Sequence, residues 1–106
     1  MGFCVVNING RLGGDVKTGV TDNGKTWANF SVAISQTKTN KPLWLQCVAW
    51  GGAAETLGDY GKKGRKIVVI GELKNRDYTD TSGVERSTME VVVMKFEFQD
   101  STNVQY

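Results

Sequence analysis

The sequence predicts an all-β fold closed into one small barrel. Thirteen glycines and a single proline punctuate short segments rich in Val, Ile, Phe, Trp and Thr. Within those segments apolar and polar residues alternate with a period of two, the spacing of a half-buried strand. A length of 106 residues fits one domain, and no repeat, low-complexity segment or linker divides it. The domain is expected over residues 1–98, followed by a short polar tail at 99–106.

The first strand is expected over residues 3–12. Val6, Ile8, Gly10 and Leu12 share one face, and Asn7, Asn9 and Arg11 the other. Gly10 in mid-strand signals a bend or a close backbone approach. Asn23-Gly24 is a strong turn signal. The second strand, residues 27–35, turns Ala28, Phe30, Val32 and Ile34 one way and Trp27, Asn29, Ser31 and Ala33 the other. A polar loop follows, ending at Pro42. The third strand, residues 43–50, sets Leu43, Leu45, Cys47 and Ala49 against Trp44, Gln46, Val48 and Trp50. Residues 53–60 read as a short helix with Gly61 as its stop. Lys62-Lys63-Gly64 turns into a long fourth strand over 66–79, and Ser82-Gly83 turns into a fifth over 85–98. Five strands with one short helix between the third and fourth have the layout of an OB-fold, a Greek-key barrel whose second and third strands commonly form a binding face. The helix position argues against a Src-homology-type barrel.

The composition excludes several classes of function. There is no histidine, so imidazole-based triads and HExxH metal sites are absent. Cys4 and Cys47 cannot make a four-ligand zinc site alone, and both are expected to be small buried hydrophobes. Residues 19–26, Gly-Val-Thr-Asp-Asn-Gly-Lys-Thr, match the string GxxxxGK[ST], but an Asn-Gly turn and a strand pattern follow where a phosphate-binding loop opens a helix, so no such loop is expected; no dinucleotide-binding GxGxxG occurs. An enzyme would have to work with Asp, Glu, Lys, Tyr or Ser, and no cofactor or metal is expected. No apolar run approaches the ~20 residues of a membrane span. The N-terminus lacks a basic region and an apolar core of the signal-peptide kind, so a cytoplasmic location is expected.

A strand in such a barrel gives one face to the core. If Leu43, Leu45 and Cys47 take the core face, Trp44 and Trp50 point outward. The same logic turns Trp27 outward from the neighbouring strand. Three outward tryptophans are unfavourable unless something covers them. Periodicity alone leaves two readings open: a shelf on which nucleic-acid bases stack, or indoles packed under a loop or another subunit. The charges favour the shelf. Lys25, Lys38, Lys41, Lys62, Lys63, Arg65 and Lys66 lie in or beside flanking loops, and Lys74, Arg76 and Tyr78 share a face of the fourth strand. Cations interleaved with outward aromatics form a nucleic-acid-binding pattern. The net charge of +2 hides a segregation. Residues 1–76 hold eleven basic and five acidic side chains, a balance of +6, and residues 77–106 hold two and six, a balance of −4.

On these residues the chain resembles the bacterial-type single-stranded DNA-binding proteins. The likeness runs through Asn9-Gly10-Arg11-Leu12-Gly13 with Asp15, and through Trp27-Ala28-Asn29-Phe30-Ser31-Val32-Ala33. It continues in Trp44-Leu45-Gln46-Cys47-Val48-Ala49-Trp50-Gly51 with Ala54-Glu55, Tyr60-Gly61-Lys62-Lys63-Gly64, and Gly71-Glu72-Leu73. Arg76, Tyr78, Asp80, Gly83, Arg86 and Glu90-Val91-Val92-Val93 complete it. It spans roughly residues 3–98 and rests on the order and spacing of these stretches. It implies a non-enzymatic OB domain, usually a homotetramer with a dimer as the smaller alternative, that coats single-stranded DNA in replication, recombination and repair.

By position, the family's stacking aromatics carry over to Trp44, Trp50 and Tyr78. A further family aromatic falls at Lys38, so that contact is either lost or replaced by one to phosphate. Trp27 stands where an aliphatic residue is common and would add to the shelf. Val16 replaces a usual proline, and the short hairpin between the second and third strands implies a shorter wrapped length. The expected DNA-binding residues are Trp27, Lys38, Trp44, Trp50, Lys62, Lys63, Lys74, Arg76 and Tyr78. The acidic tip through which the resembled proteins recruit replication and repair partners is absent by Tyr106, so no partner is expected through it. The resemblance would place such a chain with the nucleoid, in an organelle or in a phage-infected host. The alternative function is an OB-type protein-interaction module of the primosome kind. RNA or oligosaccharide binding on the same face is a weaker one.

Overall fold

The computed structural model describes residues 2–99. Its elements run β1 (Val5–Leu12), β2 (Lys17–Val20), β3 (Thr26–Ile34), β4 (Leu43–Trp50), α1 (Gly52–Tyr60), β5 (Lys66–Thr79) and β6 (Glu85–Phe98). All five expected strands are present, and the four-residue β2 is an addition. It pairs only with β3, from Lys17↔Asn29 to Val20↔Thr26. The Asn23-Gly24 turn joins the two, with Gly24 at φ 82° and its N–H donating to the Thr21 carbonyl at 2.9 Å. The segment Lys-Thr-Gly-Val is mostly exposed, so it carries none of the alternation that reveals a strand. Beyond Gln99, the expected polar tail lies outside the described residues.

The strands follow the order β1-β5-β6-β4-β3-β2, and β1 also pairs with β3. The long strands therefore form a closed ring, antiparallel except where β4 runs parallel to β6 at Cys47↔Val91 and Val48↔Val92. This is the OB-fold expected from sequence. Gly10 performs the predicted close approach: a Cβ there would run into the Ala33 carbonyl and lie 2.8 Å from Val32 Cγ1. With no side chain in the way, β1 passes from its β5 partner to pair Arg11↔Ala33 and Leu12↔Val32. Closure of a ring removes most of the exposed strand edge that invites aggregation.

Alternation fills the barrel as expected. Ile8, Leu12, Ala28, Phe30, Val32, Cys47 and Ala49 are buried together with Ile67, Val69 and Val91, and α1 adds Ala54 and Leu57. Each fully buried aliphatic or Phe side chain contributes about 1.5–3 kcal/mol. Three expectations fail here. Leu43, assigned to the core face, is 45% exposed, because β4 begins at the rim of the barrel. Val48, assigned outward, is 8% exposed, because β6 sets Val92 beside it. Cys4 is exposed, since it precedes β1; only Cys47 is a core hydrophobe, and burial pushes its thiol up to about 12. Gly61 ends α1 without a left-handed turn, at φ −83°. It is required sterically, since a Cβ would strike Val16 and the Leu57 carbonyl. Among the described residues, no helix is long and apolar enough to cross a membrane.

Candidate nucleic-acid interface

The outer face of β3 and β4 carries the tryptophans. Register sets Trp27 opposite Trp50, Ser31 opposite Gln46 and Ala33 opposite Trp44. Trp44 is 54% and Trp50 40% exposed, while Trp27 is half-buried. Glycines on the neighbouring edge make room for the rings. A Cβ on Gly13 would strike the Trp44 ring, and one on Gly19 would lie 2.6 Å from Trp27 Cε2. Trp27 and Trp44 are thus seated against backbone, while Trp50 stands freer between β3 and the next ribbon.

That ribbon is β5–β6. Its register places Lys74 opposite Glu90, Arg76 opposite Thr88 and Tyr78 opposite Arg86, all on one face. Because β6 lies beside β4, this face continues the tryptophan shelf. Together they form a cleft lined by Thr21, Trp27, Asn29, Val48, Trp50, Arg76, Glu90 and Val92. At the outer end of the ribbon, Tyr78, 48% exposed, lines a shallow depression with Arg86. On the other side, Asn29 is shared with a third depression lined by Gly13, Asp15, Lys17, Ser31 and Gln46.

The structure therefore brings Trp27, Trp50 and Arg76 into one cleft, keeps Trp44 on the same face, and extends it through Lys74 and Tyr78. The remaining expected residues stand on its margins. Lys38 lies in the exposed loop 35–42, which enters β4 beside Trp44. Lys62 and Lys63 follow α1 and do not line the cleft. Their loop reaches the third depression through the Lys63 N–H, which donates to Asp15 Oδ1 at 2.8 Å. Arg65 is used within the fold: its guanidinium lies 4.0 Å from the Phe98 ring centroid, and it donates to the Tyr60 carbonyl at 3.0 Å. A Lys25 ammonium sits 4.7 Å from the Trp50 ring centroid.

Two carboxylates share this face, and sequence reasoning did not place them there. Glu90 lies 3.7 Å from Arg76 and Glu72 3.3 Å from Lys74. Counting outward from the Ser82-Gly83 turn would have set Glu90 opposite Lys74. Asn29 and Val92 were hidden differently, because only the parallel β4–β6 contact makes them neighbours. Exposed ion pairs of this kind contribute about 0–1 kcal/mol, so Lys74 and Arg76 exchange partners easily. At the ribbon tip the pairing is tighter. Asp80 Oδ2 accepts from Arg86 Nε at 2.9 Å, and Oδ1 from the N–H groups of Ser82 and Val84 at 2.9 and 3.0 Å. The Arg86 bond, then the Val84 N–H, hold the Asp80 carboxyl below the usual carboxylate range. Among the described residues, no three His, Cys, Asp or Glu side chains cluster as a metal site would need. What the face offers is flat aromatic surface, exchangeable cations and a few amide and hydroxyl groups.

Comparison with known proteins shows the family to which the chain belongs. The chain is 35% identical over 82 residues to a protein of Clostridium perfringens (strain 13 / Type A), a match covering 76% of this chain and 55% of that one. It is 30% identical over 103 residues to a protein of Thermosynechococcus vestitus, covering 95% and 86%. With a Fusobacterium nucleatum protein the identity is 33% over 104 residues, covering 92% and 67%. Each of the three is named a single-stranded DNA-binding protein. The chain thus spans just over half the length of its clostridial relative. The model of the single-strand binding protein family matches residues 4–99, from the lead into β1 through the end of β6, and the chain belongs to that family.

Proposed function

We propose that this chain binds single-stranded DNA without reading its base sequence, coating and protecting strands exposed in replication, recombination and repair. The observation that carries this reading is the cleft uniting Trp27, Trp50 and Arg76, with Lys74 and Tyr78 on the same face of β5 as Arg76. Every base has a π-face, so an aromatic shelf binds without discrimination. Stacking of the kind that OB-folds of single-strand binding proteins use is worth about 1–3 kcal/mol per base. Lys74 and Arg76 lie along the strand path as phosphate contacts, with Lys38, Lys62 and Lys63 at its margins. The role is one of binding, without catalytic chemistry.

Assembly into a homotetramer or dimer belongs to the same reading. β1 pairs with β5 along Val5–Arg11 but meets β3 only at Arg11 and Leu12. Among the described residues nothing pairs with its other edge from Val5 to Asn9, where Val5, Asn7 and Asn9 are exposed. An open edge of this length is a template for pairing with a second copy.

Tryptophan fluorescence during addition of oligo(dT), repeated across salt concentrations, tests the binding reading. Strong quenching is expected, with the log–log slope against salt near −0.7 for each phosphate contact. Absence of quenching at low salt would rule out the stacking mechanism and favour a protein-interaction role.

A further inference from the structure

The Trp50 ring is already occupied in the free protein. Lys25 holds its ammonium 4.7 Å from the ring centroid. The tight turn from Thr21 to Lys25 fixes where that side chain starts. Thr21 N–H donates to the Lys25 carbonyl at 2.9 Å, and Lys25 N–H donates back to Thr21 Oγ1 at 3.1 Å. Thr21 itself lines the cleft, so the turn forms part of its wall. No acidic partner within ion-pair range of Lys25 appears among the described residues, and its counterpart is the indole.

Resting on the proposed single-strand binding, we infer that Lys25 is a positioning residue that covers the Trp50 stacking surface in the free protein and transfers to a phosphate when a base takes its place. The ranking of the two contacts supports this. A cation over an exposed ring is held more weakly than a stacked base. Displacement is therefore downhill, and it leaves an ammonium on a flexible stem beside the nucleotide whose base has just docked. The exchange has two opposite consequences. Lys25 weakens stacking by occupying the ring, and strengthens binding by adding one salt-sensitive phosphate contact. It also shields an exposed indole while the face is empty.

Lys25→Gln removes the charge and retains a long side chain on an exposed turn. Oligo(dT) affinity is measured for both proteins across salt concentrations, and the Trp50 indole N–H is followed by NMR without DNA. The variant's log–log slope is expected to be shallower by about 0.7, one phosphate contact fewer. The two lines are expected to cross, the variant binding about two- to five-fold tighter at high salt, where the uncovered ring dominates. In the free protein, the Trp50 indole resonance is expected to shift while those of Trp27 and Trp44 hold. Parallel lines would overturn the phosphate transfer. A shallower line that never crosses, or an unmoved Trp50 resonance, would overturn the cover. An unmodified chain that bound no oligo(dT) at all would overturn the binding reading itself, and with it this one.

Discussion

Trp50 joins the two halves of the binding face. It is the cross-strand neighbour of Trp27, it walls the cleft that contains Arg76, and it carries Lys25 on its ring. Trp27 packs over Gly19 and Trp44 over Gly13, while the Trp50 ring is among the contacts of neither, so truncation there is expected to remove binding surface and leave the sheet intact. Trp50→Ala is expected to weaken oligo(dT) binding by about 1–3 kcal/mol, the contribution of one stacked base. Lys95→Ala, which removes an exposed cation of β6 opposite Ile70 and away from the cleft, is expected to cost clearly less. Equilibrium titration of both variants decides between them, and equal losses would place the DNA on another surface. At this scale alternation was readable for most strand positions, and it failed at Leu43 on the barrel rim and at Val48 beside β6. The outward turn of all three tryptophans follows from the apolar partners beside them on each strand. Cys4 shows the limit, because residue type favours burial while its place ahead of β1 gives it nothing to be buried by.

The β5–β6 ribbon turns a basic strand into half of a groove, and its tip is held by one carboxylate. Asp80 accepts from Arg86 and from two backbone N–H groups of the turn, with Gly83 at φ 81° completing the reversal. All of these bonds favour the ionised form, so the folded carboxyl titrates below its unfolded counterpart. The sign follows: this contribution is complete above the unfolded pKa and is lost as pH falls through the lower, folded value. Amide exchange or NMR line shapes at residues 80–86 are expected to show an ordered tip down through mildly acid pH. Loosening should set in only below the ordinary carboxylate range. A tip that loosens while Asp80 is still ionised would contradict this account. Salt should leave the two backbone bonds largely intact. The hairpin and both its strands were legible from Ser82-Gly83 and the flanking β-formers. The strand β2 was not, since four mostly exposed residues on an edge carry no periodic signal.

Over the whole molecule, linear charge and spatial charge part company. The basic excess of residues 1–76 suggested a basic groove beside the aromatics. The topology instead threads the acidic C-terminal strand between β4 and β5, which brings Glu90 into the cleft beside Arg76. The β5–β6 hairpin register alone would have set Glu90 beside the basic strand, whereas its place facing the tryptophans depends on the parallel β4–β6 pairing, which follows from ring closure rather than from either strand's own residues. The face that results is a set of exchangeable ion pairs around aromatic surface. Among the described residues, closure of the ring also leaves β1 with one unpaired edge, flanked by Phe3 at 80% and Val5 at 48% exposure. A domain of this size gains little reserve from its own core, and covering that edge with a second β1 would add backbone hydrogen bonds and bury both side chains. Light scattering of the unmodified chain at micromolar concentration is therefore expected to give the mass of two or four copies. Asn7→Lys with Asn9→Lys sets like charges along the edge, a common means of blocking strand pairing, and should shift the mass toward one copy while the circular dichroism of the barrel persists. A single-chain mass for the unmodified protein would remove the edge-pairing proposal, because the open strand would then be tolerated without a partner.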